Sequence, residues 1–298
     1  MKTISYLMVV WSTLGCGRGA RAASQFNGDS ALAYVARQLS FGPRIPNTTG
    51  HRAAGDWLIE RLSASADTVV VQAFRHVTAT GDTLALRNIL ARIRPELSER
   101  VLFLAHWDTR PLADRSSNLA DRRRPVPGAN DGASGVAVLV RLAEELQKNP
   151  PVFGVDLLLV DGEDYGDFTE DRDVLLGSRY FAEHQPEGYP PLFGVLLDMV
   201  GDRNSTFLRE WNSVNRAPEV VQRVWRTADA LGYRRVFRDD VGGAVTDDHV
   251  PLLDAGIRTI DIIPSPFPSY HHTVDDTLDK IDARMLEIVG NVAVALVH

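Results

Sequence analysis

The sequence contains a single cysteine, Cys16, among 298 residues. Because this cysteine lies in the N-terminal leader, the rest of the chain offers no thiol for catalysis and cannot form a disulfide bond within itself. A thiol nucleophile is therefore excluded. Any metal ion in the folded domain must be held by histidine, aspartate and glutamate side chains.

The sequence also lacks an excess of positive charge and, after its leader, an apolar run long enough to cross a membrane. The formal net charge is −7, so we expect no nucleic acid as partner. The only tight basic run, 122–124, is interpreted as a solvated loop. Hydrophobic residues make up 44% of the chain, which is enough to bury a large core. We expect one domain and a monomer.

The first residues are typical of a leader. Lys2 is followed by an uncharged, largely apolar stretch at 3–14, which is too short to span a bilayer and fits a signal peptide. The motif ending at Cys16 resembles a lipobox, and the residues at 20–22 fit an ordinary cleavage site. We therefore predict a signal peptide at 1–22 and export. A periplasmic, membrane-anchored lipoprotein with a lipid anchor at Cys16 and a soluble secreted protein stay open as alternatives.

The hydrophobic pattern after the leader predicts alternating helices and strands. Helices are expected at 30–39, 52–63, 133–147, 174–183, 218–231 and 283–296, and strands at 69–74, 84–93, 101–105, 155–160, 193–199 and 259–263. A hairpin turn at 81–82 would join the first two strands, whereas the later, continuously apolar strands alternate with helices. This order predicts a single-domain, three-layer α/β/α sandwich with a mixed, mostly parallel central sheet over residues 30–298.

Several of the predicted strands lead into acidic or imidazole groups. These groups are His106, Asp108, Glu163, Asp164, Asp198, His271 and His272. Ligands in open α/β sheets bind outside the carboxyl ends of the strands, and Asp131 joins the set from a glycine-rich turn before a predicted helix. Each residue alone is explained by a structural role, such as a helix cap for Asp131. Together, so many carboxylates would repel one another unless a cation neutralised them. Because the set includes imidazole and no thiolate, the cation that it indicates is zinc.

A series of ordered motifs resembles the zinc aminopeptidase superfamily, which includes co-catalytic aminopeptidases and animal-type glutaminyl cyclases. The motifs are Ala105–Asp108, Gly128–Gly135, Asp161–Asp164, Leu197–Met199 and His272–Thr273. Three further motifs resemble the cyclase branch in particular: Thr246–Pro251, Ile263–Pro268 and Leu176–Arg179. The resemblance runs from about residue 30 to the C-terminal region and implies a zinc exopeptidase-like fold.

The resemblance also implies a role for individual residues. It implies a zinc ion bound by Asp131, Asp164 and His272, Glu163 as proton shuttle with Asp198 and Asp247 as its hydrogen-bonded supports, and Phe267 in the substrate pocket. It further implies a cis peptide bond after Asp131. His271 stands where vertebrate cyclases have a tryptophan, so we assign it to the pocket wall as well.

The same motifs leave more than one activity open. A cyclase would use one zinc ion to convert the N-terminal glutamine of peptides or proteins to pyroglutamate with release of ammonia. An aminopeptidase would add a second metal ion at His106, Asp131 and Asp198 and hydrolyse the first peptide bond. An inactive binding module at the cell surface is the third alternative, and the intact Glu163 argues against it.

Two further features of the site are expected. The loop 109–130 joins two of the acidic motifs, so we predict that it lies over the rim as a partial lid. The prolines of the loop 264–268 restrict its backbone and should fix Phe267. We therefore predict a small pocket with apolar walls, with Phe267 and His271 on its wall. The alternative is a rigid turn with Phe267 in the core.

Overall fold

The computed structural model describes residues 26–186, 189 and 191–298. The predicted signal peptide and Cys16 lie outside the described residues. Six strands form the central sheet and two form a separate parallel pair: β1 (Thr68–Val77), β2 (Thr83–Ile93), β3 (Arg100–His106), β4 (Gly154–Val160), β5 (Phe193–Leu197), β6 (Phe207–Arg209), β7 (Phe237–Val241) and β8 (Thr259–Ile262). None of the helices in this part of the chain could span a membrane.

The central sheet has the order β1-β2-β4-β3-β5-β8. Strands β1 and β2 form the predicted hairpin, and β2 pairs with β4 in antiparallel register. Strands β4, β3, β5 and β8 run parallel to one another. The sheet is therefore mixed and mostly parallel, as predicted, and the carboxyl ends of its four parallel strands meet at one edge.

Eight α-helices flank the strands in the described part of the chain. They are α1 (Gly28–Leu39), α2 (Thr49–Ser63), α3 (Ala133–Lys148), α4 (Leu176–Glu183), α5 (Trp211–Arg216), α6 (Pro218–Ala230), α7 (His249–Asp254) and α8 (Ala283–Val297). Helix α2 begins after Thr48, whose hydroxyl accepts a hydrogen bond from His51 N at 3.2 Å and so caps the helix.

Alternation along the strands divides the core between the two faces of the sheet. Successive side chains of a strand point to opposite faces. Phe103 therefore packs in the larger core with α1, α2, α3 and α8, whereas Leu102 and Leu104 pack in a smaller core with Phe181 of α4 and Leu252 of α7. The fold is a three-layer sandwich, which confirms the predicted class.

Helix α3 lies unusually close to β5. A Cβ atom built on Gly135 would lie 2.1 Å from the carbonyl oxygen of Leu197. Only glycine, which lacks a Cβ atom, allows this approach. The first turn of α3, and the residues just before it, are thereby brought to the carboxyl edge of the sheet.

Some short elements were not predicted. The sequence pattern missed α5, α7 and the pair β6–β7, and it extended α4 to residue 174. Strand β7 buries only Phe237, so it shows no alternating pattern. Helix α4 begins after Leu175, which adopts a left-handed conformation with a φ of 55° that interrupts the helical path.

Candidate active site and metal centre

The structure brings the predicted metal and catalytic residues together at the carboxyl edge of the sheet. His106 ends β3, Asp198 follows β5, and Glu163 and Asp164 form a turn after β4. His272 follows the loop after β8, and its Nε2 atom lies 3.2 Å from Asp164 Oδ1. All five side chains are buried.

Asp131 lies at the centre of the cluster. Its Oδ1 atom is 3.0 Å from His106 Nε2, and its Oδ2 atom is 3.5 Å from His272 Nε2. Burial by itself would raise the pKa of Asp131, but the hydrogen bond and the charge of His106 hold that pKa well below its usual range. The side chain is therefore ready to bind a cation as a carboxylate.

The turn that carries Asp131 is fixed by Asp276. The backbone N–H groups of Asn130 and Asp131 donate to the buried Asp276 carboxylate at 2.8 and 3.1 Å. The Asp131–Gly132 peptide bond is cis, as the resemblance implied. A Cβ atom at Gly132 would lie 2.4 Å from His106 Nε2, so the histidine occupies the space that a larger residue would need.

Glu163 is held in the turn after β4 by its backbone. The N–H groups of Glu163 and Asp164 donate to the carboxylate of Asp108 at 3.1 and 3.2 Å. Burial raises the pKa of Glu163 well above its usual value, and although His106 opposes this shift, the nearby Asp164 carboxylate adds to it. Glu163 is thus a buried carboxyl group that can hold a proton in a range where exposed glutamates cannot.

Asp198 and Asp247 flank the same region. Asp198 Oδ1 lies 3.2 Å from His106 Nε2, and His106 Nδ1 lies 3.5 Å from Glu163 Oε2. The imidazole ring of His106 therefore lies between Asp198 and Glu163 and contacts both carboxyl groups. Burial and the charge of Asp198 raise the pKa of Asp247 to about 7, and its Oδ1 atom accepts a hydrogen bond from Asp248 N at 2.6 Å. Their support of Glu163 stays a prediction.

The donor atoms of the cluster fit a metal ion. Asp131 Oδ2 and Asp164 Oδ2 are buried, and no donor of the described residues hydrogen-bonds to them. Three groups of side chains hold ligand atoms within 4.8 Å of one another: Asp131 with His271 and His272, Asp131 with His106 and Asp198, and Asp131 with Glu163 and Asp164. Carboxylate and imidazole ligands without a thiolate suit zinc.

The loop 109–130 contacts this site, and its role as a partial lid stays a prediction. The guanidinium of Arg110 donates to Asp164 Oδ1 at 2.9 Å and to Asp114 Oδ2 at 2.7 Å. At the start of the loop, the backbone N–H of the buried Arg44 donates to Thr109 Oγ1 at 2.8 Å, and near its end the Arg44 guanidinium donates to Gly128 O at 2.7 Å. Both ends of the loop are therefore held by one buried residue.

A cavity of about 280 Å³ opens beside the cluster. Phe267 and His271 lie on its wall, as predicted, with their rings edge to face at 4.8 Å. Phe267 is half-buried, which argues against the alternative that it belongs to the core. Burial, together with the charge of His272, lowers the pKa of His271 to about 3, so the His271 ring itself is uncharged.

Sequence reasoning missed several residues of the site. Arg44, Arg110 and Asp276 contact it from loops and turns that carry no periodic pattern. Phe168 lines the cavity from the segment after Asp164, in a stretch without a regular element. Asp276 follows the His272-Thr273 motif by a few residues, and this proximity was the one signal that could have identified it.

Comparison with known proteins identifies a family for this chain. Residues 88–297 match the model of Peptidase family M28. A glutaminyl-peptide cyclotransferase of Bos taurus is 26% identical over 281 residues, which cover 84% of this chain and 76% of the relative.

Two solved bacterial structures share the fold. A glutaminyl cyclase of Bacteroides thetaiotaomicron is 40% identical with a TM-score of 0.89, and the match covers 92% of this chain and 98% of that chain. A Zn-dependent exopeptidase of Parabacteroides distasonis is 39% identical with a TM-score of 0.89, and the match covers 93% and 99% of the two chains.

Proposed function

Because the chain belongs to peptidase family M28, in which it resembles both glutaminyl cyclases and a Zn-dependent exopeptidase, it is an enzyme, and we propose that it is a zinc-dependent glutaminyl-peptide cyclotransferase. Its substrates are peptides or proteins with an N-terminal glutamine. The products are an N-terminal pyroglutamate and ammonia. The similarity to the glutaminyl-peptide cyclotransferase of Bos taurus and to the glutaminyl cyclase of Bacteroides thetaiotaomicron supports this choice.

The observation that carries the proposal is the small cavity beside Glu163. Its volume of about 280 Å³ and the wall formed by Phe267 and His271 suit one side chain. Cyclisation requires the glutamine side chain to curl until its amide carbon meets its own α-amine. A narrow pocket enforces this geometry, which converts the reaction into an intramolecular one with a large proximity advantage.

The residues of the chain then divide the chemistry among them. Asp131, Asp164 and His272 would hold the zinc ion, which when bound supplies a Lewis acid for the side-chain carbonyl. Glu163 accepts a proton from the α-amine as its nitrogen bonds to the amide carbon. Glu163 returns that proton to the amide nitrogen as the carbon–nitrogen bond breaks and ammonia leaves.

Aminopeptidase activity is the second candidate function. The group formed by His106, Asp131 and Asp198 could hold a second metal ion beside the first. The exopeptidase of Parabacteroides distasonis supports this alternative. In that case Glu163 would serve as general base for water rather than as a shuttle between two nitrogen atoms.

A direct assay distinguishes the two activities. The purified protein is given Gln-Ala-Ala-amide and Leu-Ala-Ala-amide in separate reactions, and pyroglutamyl peptide, ammonia and free leucine are measured. We expect cyclisation of the glutamine peptide, little release of leucine and one zinc ion per chain by elemental analysis. Release of leucine without cyclisation, together with two metal ions, would establish the aminopeptidase instead.

We further propose that the chain is exported, with the leader at 1–22 removed or with Cys16 lipidated. Fractionation of cells that express the full chain tests this, because a lipid anchor retains the protein with membranes. Cys16→Ser should release the protein from the membrane fraction if the lipobox is used. Full-length protein in the cytoplasm would contradict export.

A further inference from the structure

Arg115, on the loop 109–130, differs from its neighbours in its partners. Arg110 pairs with Asp114 and Asp164, and Arg124 pairs with Asp121. Arg115 contacts the histidine pair instead: its Nη1 atom lies 3.1 Å from His271 Nδ1, and its backbone N–H donates to His272 O at 3.2 Å. Within the described residues, no carboxylate lies within ion-pair distance of its guanidinium.

Arg115 also lines the catalytic cavity. It does so together with Asp131, Glu163 and His272, although its own side chain is exposed to solvent. The contact with His271 holds the guanidinium at this position, at the border between the cavity and the solvent. A positive charge is thereby presented to whatever passes through the mouth of the cavity.

The path of the substrate follows from the proposed function, on which this inference rests. The side chain of the first residue lies at the metal ligands, and its α-amine lies at Glu163. The rest of the peptide must then leave towards solvent, past the exposed lining residues Arg115, Ala244 and Thr246. The second residue of the substrate is therefore the part that comes closest to the guanidinium.

We propose that Arg115 binds a carboxylate carried by the second residue of the substrate. This carboxylate is either an acidic side chain or, in a dipeptide, the terminal carboxylate. The enzyme accordingly prefers peptides that begin with Gln-Glu or Gln-Asp over those that begin with Gln-Lys. Arginine is suited to this task because its planar guanidinium offers two parallel donors to a carboxylate.

The charge of the whole chain explains why such a residue is needed. The zinc ion offsets the charge of its carboxylate ligands, but the chain as a whole carries a formal net charge of −7. An acidic peptide is repelled by this field, and a local cation at the mouth offsets that repulsion. Since the pair forms at an exposed position, its effect is modest and falls as salt is added.

The test compares matched amidated peptides with the full chain. The kcat/KM values of Gln-Glu-Ala-amide, Gln-Ala-Ala-amide and Gln-Lys-Ala-amide are measured for the unchanged protein, Arg115→Ala and Arg115→Glu. We expect the unchanged protein to prefer the Glu over the Lys peptide about fivefold at low salt, mainly through KM. Arg115→Ala should remove this preference, and Arg115→Glu should reverse it.

The control variant is Arg124→Ala, which removes a cation from the same loop but not from the cavity wall. It should keep the preference for the Glu peptide. Because Arg115 also holds His271, overall turnover in its variants will fall, so the ratio between peptides is the measurement, with Gln-Ala-Ala-amide as internal reference. Gln-Ala with a free carboxylate, compared with Gln-Ala-amide, distinguishes the terminal from the side-chain carboxylate.

The outcomes separate the two proposals. Equal ratios in the unchanged protein and in Arg115→Ala, or a preference for the Lys peptide, would overturn the role of Arg115 while leaving the cyclase intact. Failure to cyclise any glutamine peptide would instead contradict the proposed function itself. A preference that disappears in Arg115→Ala and weakens with added salt would establish the contact.

Discussion

The backbone of Glu163 fixes a turn of the site, whereas its side chain lines the cavity. Its N–H group binds Asp108 at 3.1 Å, which fixes the turn. Its carboxyl group faces the cavity, where burial raises its pKa. Since the backbone holds the position, the side chain is free to exchange a proton without a change in the fold.

Replacement of Glu163 by glutamine should therefore affect catalysis alone. Glutamine has nearly the same shape but cannot carry the proton, so we expect turnover to fall about 10²- to 10⁴-fold. Zinc content by elemental analysis should stay unchanged. The control is Glu99→Gln at an exposed position, which should keep normal turnover. Near-normal turnover of Glu163→Gln would exclude it as the shuttle.

Phe267 offers a second test at the scale of one residue. Because it lines the cavity and is only half-buried, Phe267→Ala should lower kcat/KM for glutamine peptides roughly 10- to 100-fold. The free energy of unfolding should fall by less than the ~3 kcal/mol typical of a core phenylalanine.

A matched control for this change is Phe41→Ala. Phe41 is also half-buried, and it packs against Trp57 rather than lining the cavity. This variant should lose stability with little loss of turnover. If Phe267→Ala unfolds at room temperature, or cyclises at the normal rate, the assignment of the pocket is wrong.

The secondary-structure elements explain why a site this exact can be built from distant residues. Three of the parallel strands, β3, β4 and β5, lead directly into residues of the cluster, and helix α3 brings Asp131 to the same edge. The close approach at Gly135 sets the distance between this helix and β5. Positions in the cluster are thus determined by the packing of the first turn of α3 against the end of β5.

Gly135→Ala tests this dependence. The added Cβ atom would lie 2.1 Å from a backbone carbonyl oxygen, so α3 must move away from β5. We expect a loss of stability of about 1–3 kcal/mol or more, as for other overpacked sites, together with weaker zinc binding, because Asp131 moves with the helix.

Gly243→Ala is the control for this prediction. No atom outside its chain neighbours lies within 4 Å of a Cβ built at that position, so its free energy of unfolding should change by less than about 0.5 kcal/mol. Both variants are compared by urea denaturation. Equal stability of the two variants would contradict the close contact of α3 with β5.

Site residues could be predicted from the sequence when they follow a regular strand, and not when they lie in an irregular segment. His106, Asp198 and Asp164 follow continuous apolar strands, whose direction determines where their carboxyl ends lie. Arg44, Arg110 and Phe168 come from irregular segments, and nothing in their local sequence indicates the neighbour that they contact. The same reason explains why the short elements β6, β7, α5 and α7 were missed.

The metal site connects distant parts of the molecule, because its predicted ligands Asp131, Asp164 and His272 belong to segments on both sides of β5. Removal of zinc should leave the carboxylates of Asp131 and Asp164 facing each other without a cation. Treatment with a chelator should therefore abolish turnover and lower the melting temperature, and added zinc should restore both, since a ligand of the folded state stabilises it by mass action.

The control for zinc removal is His272→Ala. This variant should bind zinc much more weakly, and chelation should change its melting temperature far less than that of the unchanged protein. Differential scanning calorimetry at fixed protein concentration measures both effects. A melting temperature that does not respond to chelation or to zinc in the unchanged protein would exclude a tightly bound metal ion.

The position of His272 after β8 has a consequence for the choice of metal during synthesis. As the chain emerges, Asp131 and Asp164 appear long before His272, and two carboxylates alone bind many divalent ions with little preference. The imidazole joins them only when β8 pairs with β5 and the following loop closes over the cluster. With His272 as the proposed third ligand, the preference of the site for one metal ion therefore arises only once β8 and the loop after it have folded.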